Sequence, residues 1–262
     1  GNPKVGPESA RTFTLGAVIN EPFGAKNLVV TVDGYRIKIT DAIAPISSTT
    51  AYKGCFNPAS NPTYDVNNQY CQLIRRNPIT GDREEVKAAY SNLGTIETQG
   101  VDFSLAWRHD LSLGTFSLNT TLSYLDYYRY QPDPSAKFNE ATGTLDQGGM
   151  YDYRLLTNFG LRLNNGLNLG LQWRHLPSVE SAAKGIAPST TQQGTGQYNI
   201  FGLTGSYTMG KYTLRAGIDN VLDQQPPSLN RIPGGDSNTD NTNPSFYDIL
   251  GRRYFVGVRA RF

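Results

Sequence analysis

The sequence predicts an all-β protein whose antiparallel, up-and-down strands form the wall of a transmembrane β-barrel. Three observations lead to this fold class. Apolar and polar residues alternate with a period of two along nine segments of the chain. Short turns and long polar loops follow each other in regular alternation. Aromatic residues gather near the ends of the alternating segments, as they do at the two interfaces of membrane barrels.

Each predicted strand is recognised by apolar residues that share one parity. No segment has a convincing helical periodicity. In chain order, the nine strands lie within Phe13–Ile19, Leu28–Ile39, Val101–Trp107, Thr115–Tyr124, Leu155–Leu163, Leu167–Trp173, Phe201–Tyr207, Tyr212–Ile218 and Tyr254–Phe262. In the second strand both faces carry apolar residues, so its parity stays open, and Gly34 there is a candidate bulge.

The connections between these strands sort by length. Short turns are predicted near residues 21–26, 109–114, 164–166 and 209–211, and long polar loops over about 41–92, 131–149, 177–195 and 220–250. Because consecutive connections of an up-and-down sheet lie at opposite ends, all short turns fall at one end and all long loops at the other. Outer-membrane barrels have this arrangement, with short periplasmic turns and long extracellular loops.

The polar parity carries Arg, Asn, Gln and Gly, which suit a water-filled lumen. The lumen-facing candidates are Arg154, Asn158, Arg162, Gln172, Arg174, Arg215, Arg259 and Arg261. A ring of guanidinium groups can steer an anionic solute. The alternative, which the sequence favours, is that these arginines pair with acidic residues of neighbouring strands and of parts outside this chain, since buried charges are usually paired.

Two cysteines, Cys55 and Cys71, lie in the first long loop among Asn, Pro, Tyr and Gln. One interpretation is a disulfide that closes the loop in an oxidising compartment. The other is a pair of free thiols. The disulfide is the favoured prediction, because neither a histidine nor another cysteine lies nearby to complete a metal site.

Composition and motifs exclude several classes of function. The net charge of +2 gives no basic excess for nucleic acid, and no apolar run approaches the roughly 20 residues of a transmembrane helix. Gly1–Pro7 lacks the features of a signal peptide, so either the protein is not exported or the chain is an internal piece of a longer one.

No catalytic residue, metal site or cofactor is predicted either. His109 and His175 have no nucleophile at a motif spacing and are interpreted as structural. The stretch Asp236–Asp240 offers oxygen ligands in a calcium-loop order. However, it lacks the required Gly and the closing Glu, and is interpreted as a solvated loop.

Several motifs together resemble the C-terminal part of the barrel of TonB-dependent outer-membrane receptors. They are the loop and strand of Gly1–Gly16, the strand Tyr35–Ile43, the returning strand Asn92–Asp102, the strand end Asn220–Asp223 and the final strand Tyr254–Phe262. The loop that carries the two cysteines also resembles a recurrent extracellular loop of that family. The motifs occur in the family's order along the whole chain.

The resemblance implies a barrel of 22 strands with a plug domain folded inside it. Residues 1–262 would then be its C-terminal part, with the plug and the N-terminal strands outside this chain. Nine strands do not close around so wide a lumen, because barrel diameter follows strand number. The implied partners are the receptor's own plug and N-terminal barrel half, the TonB complex of the inner membrane, a small-molecule solute, outer-membrane lipid and the barrel assembly machinery.

The end of the chain resembles the C-terminal signal that the assembly machinery recognises. Phe255, Gly257 and Phe262 occupy its positions. The sequence departs from the usual signal at Phe255, where a polar residue is common, and at Ala260, where a bulkier apolar residue is common. The terminal ring of Phe262 shares the parity of Val256 and Val258 and is expected on the lipid side at the periplasmic interface.

The resemblance implies an integral protein of the bacterial outer membrane that takes up a specific solute by TonB-dependent transport. That solute would be a ferric siderophore or other iron chelate, or an oligosaccharide. Two other functions remain open: an outer-membrane barrel enzyme, which would need a catalytic constellation at the strand ends, and a soluble carbohydrate-binding β-domain, which would need a closed core.

Overall fold

A computed structural model of the chain describes residues 5–46, 48–58, 60–87, 90–132, 134, 137–145, 150–181, 194–227, 242 and 246–262. The chain divides into two compact units. The cysteine unit consists of Gly1–Phe13, Arg36–Thr98 and Tyr128–Glu140. The strand unit consists of Thr14–Tyr35, Gln99–Tyr127 and Ala141–Phe262.

Strands dominate the described part of the chain. They are β1 (Ser9–Asn20), β2 (Leu28–Pro45), β3 (Ile74–Arg76), β4 (Arg83–Val86), β5 (Tyr90–Leu111), β6 (Gly114–Gln131), β7 (Asn139–Glu140), β8 (Tyr153–Leu163), β9 (Leu167–Leu176), β10 (Tyr198–Met209), β11 (Tyr212–Asp219) and β12 (Arg253–Ala260). One helix, α1, spans Ser48–Phe56, and short 3-10 helices span Pro22–Gly24 and Cys71–Leu73. No helix in these ranges is long and apolar enough to cross a bilayer.

The long strands form one sheet in the order β1-β2-β5-β6-β8-β9-β10-β11-β12. Apart from the short strands in the loops, each strand pairs with its neighbour in the chain, which is an up-and-down meander. The prediction of an all-β, up-and-down sheet with nine long strands is therefore confirmed. The short strands are extra: β7 pairs with β6, and β3 and β4 form a separate hairpin.

Two regions differ from the sequence prediction. β5 has 22 residues and β6 has 18, far more than the alternating stretches that predicted them. Roughly 9–11 residues suffice to cross a bilayer, so both strands continue past a membrane span, where apolar alternation is no longer required. The first long loop is also not featureless, because it contains α1 and the β3–β4 hairpin.

The register of the strand unit separates two faces. On one face Phe159 lies between Leu118 of β6 and Leu171 of β9, and Leu171 in turn pairs with Leu203. We call this the leucine face; it also carries Leu161, Leu169, Leu214, Val256 and Val258. The opposite face, the arginine face, carries Arg154, Asn158, Arg162, Gln172, Arg174, Arg215 and Arg259. The two faces follow from strand pleating, since successive side chains point to opposite sides.

The leucine face is not buried within the chain. Leu169 is 45% exposed, Val258 68% and Val256 82%. A continuous apolar surface of this kind marks contact with another apolar phase or partner. The buried apolar cluster of the strand unit lies instead beside the long loops, and consists of Leu145, Tyr151, Val179, Tyr198, Ile200 and Tyr247.

The loop of the cysteine unit is closed by the predicted disulfide. Cys55 and Cys71 are bonded, with their Cα atoms 4.7 Å apart. Beside the bridge, the Asn61 side-chain amide donates to the carbonyl of Cys55 (2.9 Å) and to that of Asp65 (3.0 Å), while its oxygen accepts the Asp65 N–H (2.9 Å). The bridge and the buried Asn61 therefore hold both ends of this loop together.

The first prediction concerns the two faces. Replacing Leu171 by Arg in the lipid-embedded protein should destabilise it by roughly 2–4 kcal/mol, because a guanidinium near the bilayer midplane has no water. The same change at Leu161, nearer the short turns, should cost less, because the cost falls towards the interface. Asn158→Arg, on the arginine face, is the matched control and should change stability little. Denaturant unfolding in lipid vesicles measures both. Equal losses on the two faces would contradict the assignment of the leucine face to lipid.

The second prediction concerns the disulfide, which joins residues 16 apart in sequence. Replacing both cysteines by Ala should destabilise the loop by about 3 kcal/mol, the entropy cost of closing a loop of this length. Limited proteolysis of intact cells should then cut the loop within residues 55–71 much faster than in the parent. The amount of assembled barrel should stay unchanged. Loss of assembly instead would show that the bridge supports the sheet.

Candidate solute-binding site

The residues predicted to line the lumen fall into three levels along the strands of the strand unit. Arg154 and Arg174 lie where β8 and β9 meet the long loops. Asn158 and Gln172 are a register pair near the middle, and the Gln172 side-chain amide donates to Asn158 Oδ1 (3.0 Å).

Arg162, Arg215 and Arg259 lie at the end of the strands near the short turns. Arg261 follows the last residue of β12. The eight candidates are therefore not one ring. Of the eight, only Arg154 and Arg174 lie at the loop end of the arginine face.

An open cavity of about 350 Å³ lies at this loop end. It is lined by Thr121, Ser123, Arg154, Leu155, Leu156, Arg174, His175, Leu176, Tyr198, Ile200 and Phe246. Thr121 and Ser123 come from the middle of β6. Most of the others come from the ends of β8, β9 and β10 next to the long loops, and the long loop before β12 contributes Phe246. The lining thus combines two arginines with apolar and aromatic residues and with the hydroxyl-bearing Thr121 and Ser123.

The Arg154 guanidinium packs against aromatic rings. Its Cζ lies 4.9 Å from the ring centroid of Phe246 and 5.4 Å from that of Tyr151. The two rings meet edge to face at 5.2 Å. A guanidinium over an aromatic face gains about 0.5–2 kcal/mol from the ring quadrupole, so the two rings help to fix the position of the Arg154 side chain.

The rings are in turn fixed by a buried tyrosine cluster. The Tyr151 hydroxyl donates to the Tyr247 hydroxyl (2.7 Å), and Thr195 Oγ1 lies 3.1 Å from the same oxygen. The rings of Tyr198 and Tyr247 meet edge to face at 5.0 Å. Burial, together with the hydrogen bond to Tyr247, raises the pKa of Tyr151, and burial raises the pKa of Tyr198. Both phenols therefore stay neutral and do not offset the arginines.

His175 belongs to a hydrogen-bonded network on the leucine face, at the loop end of β8, β9 and β10. Its Nδ1 lies 2.8 Å from Asn199 Oδ1, and its Nε2 lies 3.0 Å from the Tyr153 hydroxyl. Trp173 Nε1 donates to the same Asn199 oxygen (2.9 Å). This network orients side chains at the strand ends, in keeping with a structural histidine.

The end of the chain shows why Phe255 departs from the usual signal. Phe255 lies on the arginine face opposite Gly217, and its ring covers that glycine. A Cβ at position 217 would come within 2.3 Å of the ring. Gly257 pairs with Arg215, while Phe262 follows β12 and is fully exposed. Recognition of this end by the assembly machinery stays a prediction.

A second charged group, in the cysteine unit, was not predicted. Glu97 is buried, with 6% of the residue exposed. Its carboxylate accepts hydrogen bonds from Lys38 Nζ (2.9 Å) and from two nitrogens of Arg129 (2.6 and 2.9 Å). Arg129 also lies 5.1 Å from the ring centroid of Phe138. The hydrogen bonds from Lys38 and Arg129 hold the pKa of Glu97 below its usual value. Glu97 lies in the first half of β5, outside the residues next to the short turn that suffice for a span.

Metal binding finds no support in the ranges that the structure describes. No group of three or more His, Cys, Asp or Glu side chains there is close enough to hold an ion. The stretch Asp236–Asp240 lies outside the described residues.

Comparison with known proteins identifies the family. A model of the TonB-dependent receptor-like β-barrel family matches residues 1–221. The chain belongs to this family, whose members are receptors and transporters of the bacterial outer membrane rather than enzymes, and we assign the chain to that membrane. No protein of curated function matches the chain.

Solved structures share the fold at low sequence identity. The chain is similar to the FrpB iron transporter of Neisseria meningitidis (TM-score 0.58, 14% identity, 99% of this chain and 32% of that one). It is also similar to the ferric enterobactin receptor PfeA of Pseudomonas aeruginosa (0.60, 16%, 97% and 31%) and to the siderophore receptor PirA of Acinetobacter baumannii (0.57, 17%, 100% and 33%). The chain thus spans about a third of the length of these proteins.

The third prediction concerns Glu97. Because its pKa is lowered in the folded state, its ion pairs stabilise the protein above the ordinary carboxyl pKa, and this stability is lost as the pH falls through the lowered value. Glu97→Gln should therefore weaken the local structure by about 1–3 kcal/mol at neutral pH, and by little in strong acid. Hydrogen exchange of β5 amides measures the change.

The control for this change is Glu84→Gln in the same unit. Glu84 forms an exposed pair with Arg75 (3.3 Å), and exposed pairs contribute roughly 0–1 kcal/mol. If the β5 amides of both variants exchange at the same rate, the ion pairs of Glu97 with Lys38 and Arg129 do not stabilise β5.

Proposed function

We propose that this chain is part of an outer-membrane receptor that imports one specific small-molecule solute by TonB-dependent active transport. Membership of the receptor family supports the general activity. The observation that carries the proposal is the cavity at the loop end of the arginine face, where Arg154 and Arg174 stand beside Phe246 and Tyr198. A solute arriving from outside would meet these side chains first.

The orientation of the faces supports this proposal. The leucine face would contact lipid, because charged residues on a lipid-facing surface are costly. The arginine face would then line the lumen, and the long loops would lie outside the cell. In this arrangement the three levels of polar side chains form a path from Arg154 and Arg174, past Asn158 and Gln172, to Arg162, Arg215 and Arg259.

The two arginines of the cavity favour an anionic solute. An iron chelate is the first candidate, since several structural neighbours are described as iron or siderophore transporters. An oligosaccharide is the second. It is favoured by the amide pair of Asn158 and Gln172 and by the aromatic rings of the loop end, which offer hydrogen bonds and stacking surfaces to a sugar.

The remaining parts of such a receptor are also proposed rather than observed. Nine strands need further strands to close a barrel, and the chain spans about a third of its solved relatives. We propose that the missing strands, an internal plug and a segment that contacts the inner-membrane TonB complex belong to the same protein. The plug would move when TonB pulls, and would release the solute inward.

The fourth prediction tests the proposed function. In cells that carry the full-length receptor, uptake of its solute should stop when a protonophore dissipates the proton gradient, whereas binding of the solute at the cell surface should persist. The control is a strain without TonB, which should behave like the protonophore-treated cells. Uptake that continues without energy would indicate a passive channel, and chemical conversion of the bound solute would indicate an enzyme.

A further inference from the structure

We propose that the leucine face binds one acyl chain of an outer-leaflet membrane lipid in a groove over Gly205 and Ala216, with a carbonyl oxygen of that lipid held between Asn199 and Tyr254. The site lies on the opposite face of the sheet from the loop-end cavity and is independent of the solute and of its transport. It rests on the contact of the leucine face with lipid. The shape of the groove, its depth in the membrane and two hydrogen-bond donors at its outer end carry the inference.

The leucine face is indented where β9, β10, β11 and β12 lie side by side. A cavity of about 480 Å³ lies there. Gly205 and Ala216 form its floor, and larger side chains surround them, namely those of Leu169, Leu203, Ile218, Tyr254 and Val256. The other lining residues are their neighbours along the same strands. A Cβ on Gly205 would have a single close neighbour, Leu169 Cδ2 at 3.9 Å, so the floor of the groove is open.

An indentation in a lipid-facing surface favours a hydrocarbon chain. Atoms that line an empty gap lose their dispersion contacts, and apolar cavities do not hold water. Among the described lining residues none carries a charge. A methylene chain that lies along Gly205 and Ala216 therefore contacts apolar side chains on both sides, whereas a chain elsewhere on the leucine face contacts the protein from one side only.

The groove lies at the depth where an outer-leaflet chain ends. β10 has 12 residues, and about 9–11 residues cross a bilayer. Asn199, near the end of β10 next to the long loops, therefore lies at the outer boundary of the hydrocarbon, and Gly205 lies close to the midplane. A chain of the outer leaflet extends from this boundary to about the midplane, so it reaches the groove when its headgroup lies beside Asn199.

Asn199 offers the first hydrogen-bond donor at this outer end. Its side-chain oxygen accepts from Trp173 Nε1 (2.9 Å) and lies 2.8 Å from His175 Nδ1. These contacts fix the orientation of the amide, because the indole N–H can only donate. The two N–H groups of Asn199 Nδ2 then have no hydrogen-bond partner among the residues that the structure describes.

Tyr254 offers the second donor. It is the leucine-face residue of β12 nearest the long loops, it is 69% exposed, and its hydroxyl has no hydrogen-bond partner in the described ranges. Tyrosines at this depth place the ring in hydrocarbon and the hydroxyl at the interface. Only β11 separates β10 from β12, so the two donors flank a gap roughly two strand spacings wide. Neutral N–H and O–H donors match the ester or amide carbonyl that joins an acyl chain to its headgroup.

The test is photolabelling of the purified full-length receptor in detergent micelles. The probe is a phosphatidylethanolamine with one acyl chain that ends in a diazirine, and mass spectrometry locates the label. Labelling should saturate with lipid concentration and should fall on β10 and β11 around Gly205 and Ala216. Ala216→Leu, which fills the groove, should raise the half-saturating lipid concentration at least about tenfold. Ala260→Leu makes the same change on the same face outside the groove and should leave that concentration unchanged.

A second pair of variants tests the outer end of the site. Tyr254→Phe removes only the hydroxyl and should raise the half-saturating concentration by about 2- to 10-fold, as expected for the loss of one hydrogen bond. Tyr212→Phe removes a hydroxyl from the same face next to the short turns and is the control. All four variants keep apolar side chains on the leucine face, so the receptor should assemble in each, which circular dichroism verifies.

Three outcomes would overturn the inference. The first is labelling that rises linearly with lipid concentration and spreads evenly over the leucine face, which is ordinary solvation by lipid. The second is an equal effect of Ala216→Leu and Ala260→Leu. The third is a dimeric receptor that Ala216→Leu converts to a monomer in light scattering, which would make the groove a contact between two copies. Uptake of the solute does not enter the test, so failure of this site leaves the proposed function untouched.

Discussion

The structure depends on one constraint, the register of the strands in the strand unit. Because side chains alternate along a strand, a slip of one residue would move every leucine to the arginine face and every arginine to the leucine face. The pairing of Phe159 with Leu118 and Leu171, and of Asn158 with Asn119 and Gln172, keeps the two faces distinct across neighbouring strands. Paired strands also satisfy the backbone polar groups, which have no water to bind in a bilayer.

The loop-end cavity depends on the same register, but it also needs the loops. The strands bring Arg154, Arg174 and Ile200 to one end of one face. The tyrosine cluster then fixes the position of Phe246, because Tyr151 contacts both Phe246 and Tyr247. The buried apolar cluster of the strand unit therefore packs beside the long loops, which lie in water. The leucine face stays exposed within the chain and contacts another apolar phase. This division explains how a sheet with little core of its own can carry an ordered site.

Much of the fold could be predicted from the sequence, because period-two alternation is a local signal. That alternation predicted all nine long strands. The disulfide of Cys55 and Cys71 was favoured over free thiols because no histidine or further cysteine lies nearby in the sequence, and the structure confirms it. The site was predicted only in part. Parity identified Arg154 and Arg174 but not their separation from Arg162, Arg215 and Arg259, since that depends on where each strand begins. Phe246 lies far along the chain in a polar loop with no periodicity. The ion pairs of Glu97 with Lys38 and Arg129 were not predicted, because the three residues lie on separate strands. Lys38 also lies in the strand whose parity the sequence left open.

The last strand shows how a departure from a family pattern acquires a physical reason. Phe255 stands where the assembly signal usually has a polar residue, and on sequence grounds it weakened the match. In the structure the ring lies over Gly217, the position where a side chain would collide with it. A glycine in a strand leaves its backbone bare and weakens the sheet, and a neighbouring aromatic ring that covers the glycine restores the packing. Gly217 on β11 and Phe255 on β12 thus compensate for each other across one register pair. The pair keeps β12 in register with β11, so Gly257 faces Arg215 and Val256 and Val258 stay on the leucine face.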